Sequence, residues 1–181
     1  ENGRDISLEK RLSKHHNTIL VDIAEEDYKQ PIAVICDAIH NEISEIISKC
    51  VTIVAHSYGC LYALYMAEAY HIDKLLLIEP VIKSDRLLNY LQDRAVDKDP
   101  DSVEVYKINN YDSLPTGEHI KSRIIVRIHI NSDGNIPNIK ELSALTNKNT
   151  KSRLLVHYNA SHMLHYTKTD IILDSITELL R

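Results

Sequence analysis

Phenylalanine and tryptophan are missing from this chain of 181 residues, glycine occurs four times and methionine twice, while tyrosine occurs ten times. Without Phe or Trp, the interior has to be packed by Ile, Leu and Val, whose branched side chains suit strands and helix faces. Cysteine is scarce too. Cys36, Cys50 and Cys60 make an odd set without a C-x-x-C pair, which points to neither a disulfide framework nor a thiolate zinc site. They read as small buried residues in a reducing compartment.

Excess positive charge is also lacking, with 21 Lys and Arg against 26 Asp and Glu and a formal charge of −5. Recognition of a phosphate backbone needs clustered cations, so nucleic acid is not expected as a partner. No run approaches the roughly 18 apolar residues of a membrane span, and the start ENGRD (1–5) lacks the apolar segment of a signal peptide. The chain is expected to be soluble and cytoplasmic, with no membrane span.

What is present is ordinary globular composition, 44% hydrophobic and 26% charged, in a length that fits one domain over residues 1–181. Short apolar runs alternate with amphipathic stretches. Strands are expected at TILVDI (18–23), VTIV (51–54), KLLLI (74–78), RIIVRIHI (123–130) and RLLVHY (153–158). Helices are expected at 31–47, with Pro31 in the first turn where a missing N–H costs nothing, at 61–70, around 139–146, and from about Thr169 to Leu180. This alternation implies an α/β fold, a three-layer α/β/α arrangement on a mostly parallel sheet. Residues 83–122 break the rhythm with a helix at 85–91 and the polar patch DKDPD (97–101). That insert is a candidate lid or cap, or else a solvated surface excursion.

The stretch VTIVAHSYGC (51–60) carries the chemistry. A serine hydroxyl is a weak nucleophile at neutral pH and needs a base for its proton and donors for the oxyanion that forms. A tight strand-to-helix turn serves both needs by thrusting the side chain outward while the next N–H faces the developing charge. Such a turn crowds its flanks, so small residues are needed two before and two after the serine. Ala55 and Gly59 stand there around Ser57. On this reading Gly59 is glycine because the helix approaches the strand closely.

AHSYG (55–59) resembles the G-x-S-x-G elbow of the α/β-hydrolase superfamily, with Ala in place of the first Gly. The resemblance covers roughly 17–181 and is specific in three short segments, in the family's order of Ser, acid, His. NSDGNIP (131–137) is similar to the acid loop, which would make Asp133 the residue that orients the imidazole; an ordinary Asp-Gly turn is the alternative. NASHMLHY (159–166) resembles the histidine loop, with Ser161 where glycine is usual and His162 as the implied general base. His165 falls at the start of the final segment. Glu79 in LIEP (77–80) is the rival acid, since some hydrolases carry theirs at the end of that strand.

His56 precedes the nucleophile and reads as a packing or hydrogen-bonding residue. His15, His16, His40, His71, His119, His129 and His157 show no trusted ligand spacing; no metal and no cofactor are expected.

The resemblance implies a backbone oxyanion hole built from the Tyr58 N–H and a second donor near the start, Gly3 or Asn2. It also exposes a gap. The family core has at least two strands before the elbow strand, and only one is legible here. Residues 1–12 read as the tail of a loop and a first helix, with Asp5 as a candidate N-cap. A vacant central position would leave backbone groups unpaired, so an upstream or separate segment is expected to complete the sheet.

The resemblance implies a serine hydrolase of the esterase or thioesterase kind, acting on a small-molecule acyl substrate through Ser57, Asp133 and His162. The alternatives are a hydrolase-fold protein that binds a ligand or partner without turnover, and a flavodoxin-like domain in which Ser57 is structural.

Overall fold

The computed structural model describes residues 6–23, 30–45, 51–70, 72–82, 123–132 and 139–181. The expectations for Asn2, Gly3, Asp5, Cys50, Asp133 and the 83–122 insert lie outside the described residues.

The elements follow in the order α1 (Ile6–Leu12), α2 (Ile32–Ile43), β1 (Thr52–His56), α3 (Gly59–Ala69), β2 (Lys74–Ile78), β3 (Ile125–Asn131), α4 (Ile139–Thr146), β4 (Arg153–His157), α5 (Leu164–Thr167) and α6 (Thr169–Leu180). Among the described residues the four strands are parallel, in the order β1-β2-β3-β4. Parallel neighbours cannot be joined by tight turns and need crossovers, and helices cover both faces. The strands accordingly read as unbroken apolar runs such as LLLI at 75–78, each of whose residues is buried.

On one face, Leu75 and Leu77 of β2 and Val126, Ile128 and Ile130 of β3 pack against Cys60, Ala63, Leu64 and Ala67 of α3 and Leu142 of α4. The small residues of α3 let it sit close to the sheet. Its outer side, Leu61, Tyr62 and Met66, packs against Ile32, Ile35 and Cys36 of α2. On the opposite face Leu76 and Ile78 meet Ile172, Ile176 and Leu179 of α6, with Leu8 of α1 and Leu164 of α5. At ~25 cal/mol per Å2 of apolar surface, each of these buried Leu and Ile side chains contributes about 1.5–3 kcal/mol before chain entropy is counted. The expected three layers are present.

The strand expected at 18–23 does not form. Residues 17–23 carry neither helix nor strand, and Ile19, Leu20 and Val21 are 46%, 47% and 45% exposed. A strand exists by virtue of a neighbour's backbone ladder, and among the described residues β1 pairs with β2 alone. The apolar pattern of 18–23 registers the wish to be covered, and sequence period cannot tell whether a partner is at hand.

Candidate active site

Ser57 and Glu79, two of the residues singled out in the sequence, lie at the sheet's carboxyl edge. His56 and Ile78 are register partners at the ends of β1 and β2. The residues after them, Ser57 and Glu79, both take a left-handed backbone, with φ of 52° and 48°. Neither is glycine, so each turn costs on the order of 1–3 kcal/mol and persists only because its surroundings over-determine it. The Ser57 N–H donates to the Ile78 carbonyl at 2.9 Å, and the Ser57 carbonyl accepts from the Val81 and Cys60 N–H groups, each at 3.1 Å. The Glu79 N–H donates to the His129 carbonyl at 2.8 Å. The chain thus leaves β1 and β2 through turns bolted to the adjacent strand.

Ser57 stands at the entry to α3, with Tyr58 as its N-cap residue. The aligned peptide dipoles of this 11-residue helix present partial positive charge toward the serine oxygen. Gly59 is the first helical residue, yet a Cβ built there meets nothing within 4 Å. Close approach of the helix is therefore not the reason for glycine among the described residues, and that expectation is corrected. Its neighbours Ala63 and Ala67 are the residues buried against the sheet.

After β4, Asn159 takes φ of 53°, a conformation Asn tolerates better than most residues, and turns the chain back over the edge. The Ser161 Oγ accepts the Met163 N–H at 3.2 Å, a small local brace in the position where glycine was anticipated. The loop brings His162 Nε2 to 3.0 Å from Ser57 Oγ. A hydroxyl can donate to that nitrogen only if it is unprotonated, which places the neutral ring's proton on Nδ1. Nδ1 faces Glu79 Oε2 at 3.7 Å, ion-pair range and longer than a hydrogen bond. Glu79 is 1% exposed, and its Oε1 accepts the Asn131 N–H. A buried carboxylate is tolerable only with such partners.

Of the residues singled out in the sequence, Ser57 and His162 are brought together, Glu79 stands behind His162, and Asp133 is outside the described residues. His165 is buried in α5, 4.3 Å between ring centroids from His56. His56 itself, on β1, lies against His162 with ring centroids 4.9 Å apart, and its Nε2 is 2.9 Å from the His162 carbonyl.

Sequence reasoning missed a second histidine pair. His129 on β3 is fully buried; its Nδ1 is 2.8 Å from His157 Nε2 on β4, and the two rings are stacked. Burial lowers the His129 pKa to about 4, helped by the positive charges available to His157 and Arg127. Burial lowers the His157 pKa as well, against the raising effect of Glu79. The pair lies on β3 and β4, the two strands beyond β2, which Glu79 follows. No spacing within the chain signals it, because the two residues meet only through parallel strand register.

Cys36 and Cys60 are free and buried. Burial, with Asp37 nearby, pushes the Cys36 thiol up to about 12, and burial pushes Cys60 up further. Neither is a reactive thiolate near neutrality. Among the described residues no group of three or more His, Cys, Asp or Glu could hold a metal ion, and no helix is long and apolar enough to cross a membrane.

No protein-family model matches the sequence, and no curated protein matches it. Solved structures do match in shape. A meta-cleavage product hydrolase from Pseudomonas fluorescens IP01 superposes with a TM-score of 0.65 at 15% identity, covering 96% of this chain and 83% of that one. A hydrolase from Oleispira antarctica gives 0.65 at 12% identity over 97% of this chain and 85% of its own. A lipase-esterase related protein from Clostridium acetobutylicum gives 0.61 at 14% identity over 91% and 80%. These likenesses, which span most of this chain and of each matched chain, show the fold: the chain has the α/β-hydrolase fold.

Proposed function

We propose that the protein is a serine hydrolase that cleaves a carboxylic ester or thioester through an acyl-enzyme. The observation that carries this reading is the 3.0 Å approach of His162 Nε2 to Ser57 Oγ, with Ser57 on a strained turn at the strand ends. In the acylation step Ser57 Oγ attacks the acyl carbon while its proton passes to His162 Nε2. The C–O or C–S bond of the tetrahedral intermediate then breaks, and the leaving alcohol or thiol takes that proton. Water, deprotonated by His162, attacks the acyl-serine and frees the carboxylic acid and Ser57.

The Tyr58 N–H at the head of α3 is the proposed oxyanion donor, and Gly3 or Asn2 the second. Glu79 is the acid favoured by geometry, since its carboxylate faces the proton-bearing Nδ1; Asp133 is its rival from the sequence. We place the protein in the cytoplasm, consistent with its free buried cysteines.

A further strand beside β1, from an upstream or separate segment, is part of the same proposal. Among the described residues β1 pairs on one side only and its residues are half-buried, and the Ile19–Val21 run is exposed; both favour it. Hydrogen exchange on protein isolated from its source tests this: β1 amides as protected as those of β2 support a filled edge, and rapid exchange along β1 opposes it.

A panel of p-nitrophenyl esters and acyl thioesters of graded acyl length tests the reaction. Turnover that disappears in Ser57→Ala and His162→Ala supports the hydrolase; well-folded protein that binds acyl ligands without turnover supports a binding protein instead.

A further inference from the structure

We infer that His56 is a positioning residue for the general base, holding the His162 backbone through a hydrogen bond donated by Nε2. The inference rests on the proposed base role of His162.

The His162 main-chain oxygen, 2.9 Å from His56 Nε2, can only accept. Of the two neutral tautomers of His56, only the one protonated on Nε2 makes this bond, and the imidazolium makes it too. The contact therefore fixes a proton on a specified atom.

Its location gives it a purpose. His162 lies on the loop that follows β4, three strands away from β1 in the sheet, and its side chain is 40% exposed. The nucleophile's position is fixed by β1 and β2 through the Ser57 N–H to the Ile78 carbonyl. Leu164 anchors the segment after His162 to β2, but a half-exposed loop residue before that anchor keeps freedom that a direct tie to the nucleophile's own strand removes. His56 is covalently adjacent to Ser57, so its bond to the His162 carbonyl joins base and nucleophile through one residue. The His56 ring is itself packed against those of His162 and His165, at 4.9 and 4.3 Å between centroids, and His165 is buried. That packing limits the rotation that would break the bond. Reacting groups misplaced by about 1 Å lose on the order of 100-fold in rate, so a loop tether of this kind acts on turnover more than on substrate binding.

The test compares His56→Gln with His56→Met. Both side chains are unbranched and of similar reach and both lose the ring, but only glutamine keeps an N–H near the position of Nε2. With p-nitrophenyl acetate, His56→Met is expected to lower kcat by about 10- to 100-fold with KM changed less than about threefold, and His56→Gln to stay within about fivefold of the parent. The rate of fluorophosphonate capture at Ser57 should follow the same order. Equal rates in the two variants overturn the inference, as does a loss confined to KM. Should either variant fail to fold, nitrogen-15 chemical shifts of His56 in the parent protein decide: Nε2 protonated supports the tether, and the Nδ1-protonated tautomer overturns it. A parent protein without esterase activity or fluorophosphonate capture defeats the hydrolase reading, while the tautomer measurement still judges the hydrogen bond.

Discussion

Ser57 and Glu79 leave neighbouring strands at one level of the ladder, each one residue past the register pair His56 and Ile78, and each with a left-handed backbone. This shared level sets hydroxyl and carboxylate along the same edge, and His162 descends from the loop after β4 to meet both, at 3.0 Å and 3.7 Å. The site is a consequence of parallel register and two strained turns.

Strain of that kind is measurable. Ser57→Gly removes the Cβ that opposes φ of 52°, whereas Ser57→Ala keeps it. Both lose the hydroxyl. The glycine variant is expected to be more stable than the alanine variant by about 1 kcal/mol in urea unfolding, the relief of the turn outweighing glycine's extra chain entropy. An alanine variant as stable as the glycine variant, or more so, contradicts a strained elbow.

The acid can be assigned by two neutral replacements. Glu79→Gln preserves an acceptor for the Asn131 N–H but removes the carboxylate proposed to orient Nδ1 of His162 and to stabilise its protonated form. A loss in kcat on the order of 1,000- to 10,000-fold is expected, with Asp133→Asn within about tenfold of the parent. The reverse pattern transfers the role to Asp133.

His129 makes stability depend on pH. In the unfolded chain its imidazole takes up a proton near 6.5, while burial holds the folded-state value at about 4. Between these values the unfolded state binds a proton that the native state refuses, so the stabilisation is complete above pH 6.5 and declines as pH falls toward 4, by on the order of 3 kcal/mol. Replacement by Asn, whose side-chain amide can stand near the former Nδ1, is expected to flatten the decline over this window. Urea midpoints from pH 7.5 to 4 check it. An unchanged slope in the variant contradicts the assignment to His129.

Gly59 should accept a methyl group. With no atom of the described residues within 4 Å of where the Cβ would go, Gly59→Ala is expected to raise stability by about 0.5–1 kcal/mol through the unfolded chain. A destabilised variant, read by thermal unfolding, would mean that the space is occupied in the working protein, as a strand or loop beside β1 would do.

Much of this architecture was legible in the sequence. KLLLI became β2 without adjustment, and the helices expected at 139–146 and from Thr169 to Leu180 formed within those limits, because continuous apolar runs and amphipathic periods report burial on two faces or one. The strand-to-helix position of Ser57 was readable for the same reason. The failures share a cause. Residues 18–23 have the pattern of a strand without a ladder; His129 and His157 meet across register; His56 reaches a carbonyl 106 residues away. Those relations live in tertiary pairing, which the local pattern does not encode. The acid was ambiguous for a chemical reason, since Glu79 and Asp133 each follow an apolar strand run in the chain and both are carboxylic acids, which no local pattern distinguishes.

The most direct measurement is mass spectrometry of the folded protein after treatment with a fluorophosphonate. A single phosphonyl adduct mapped to Ser57, absent in Ser57→Ala and strongly slowed in His162→Ala, is the result expected if His162 withdraws the Ser57 proton. Full-length, folded protein that stays unmodified, or that carries the adduct on another residue, contradicts it.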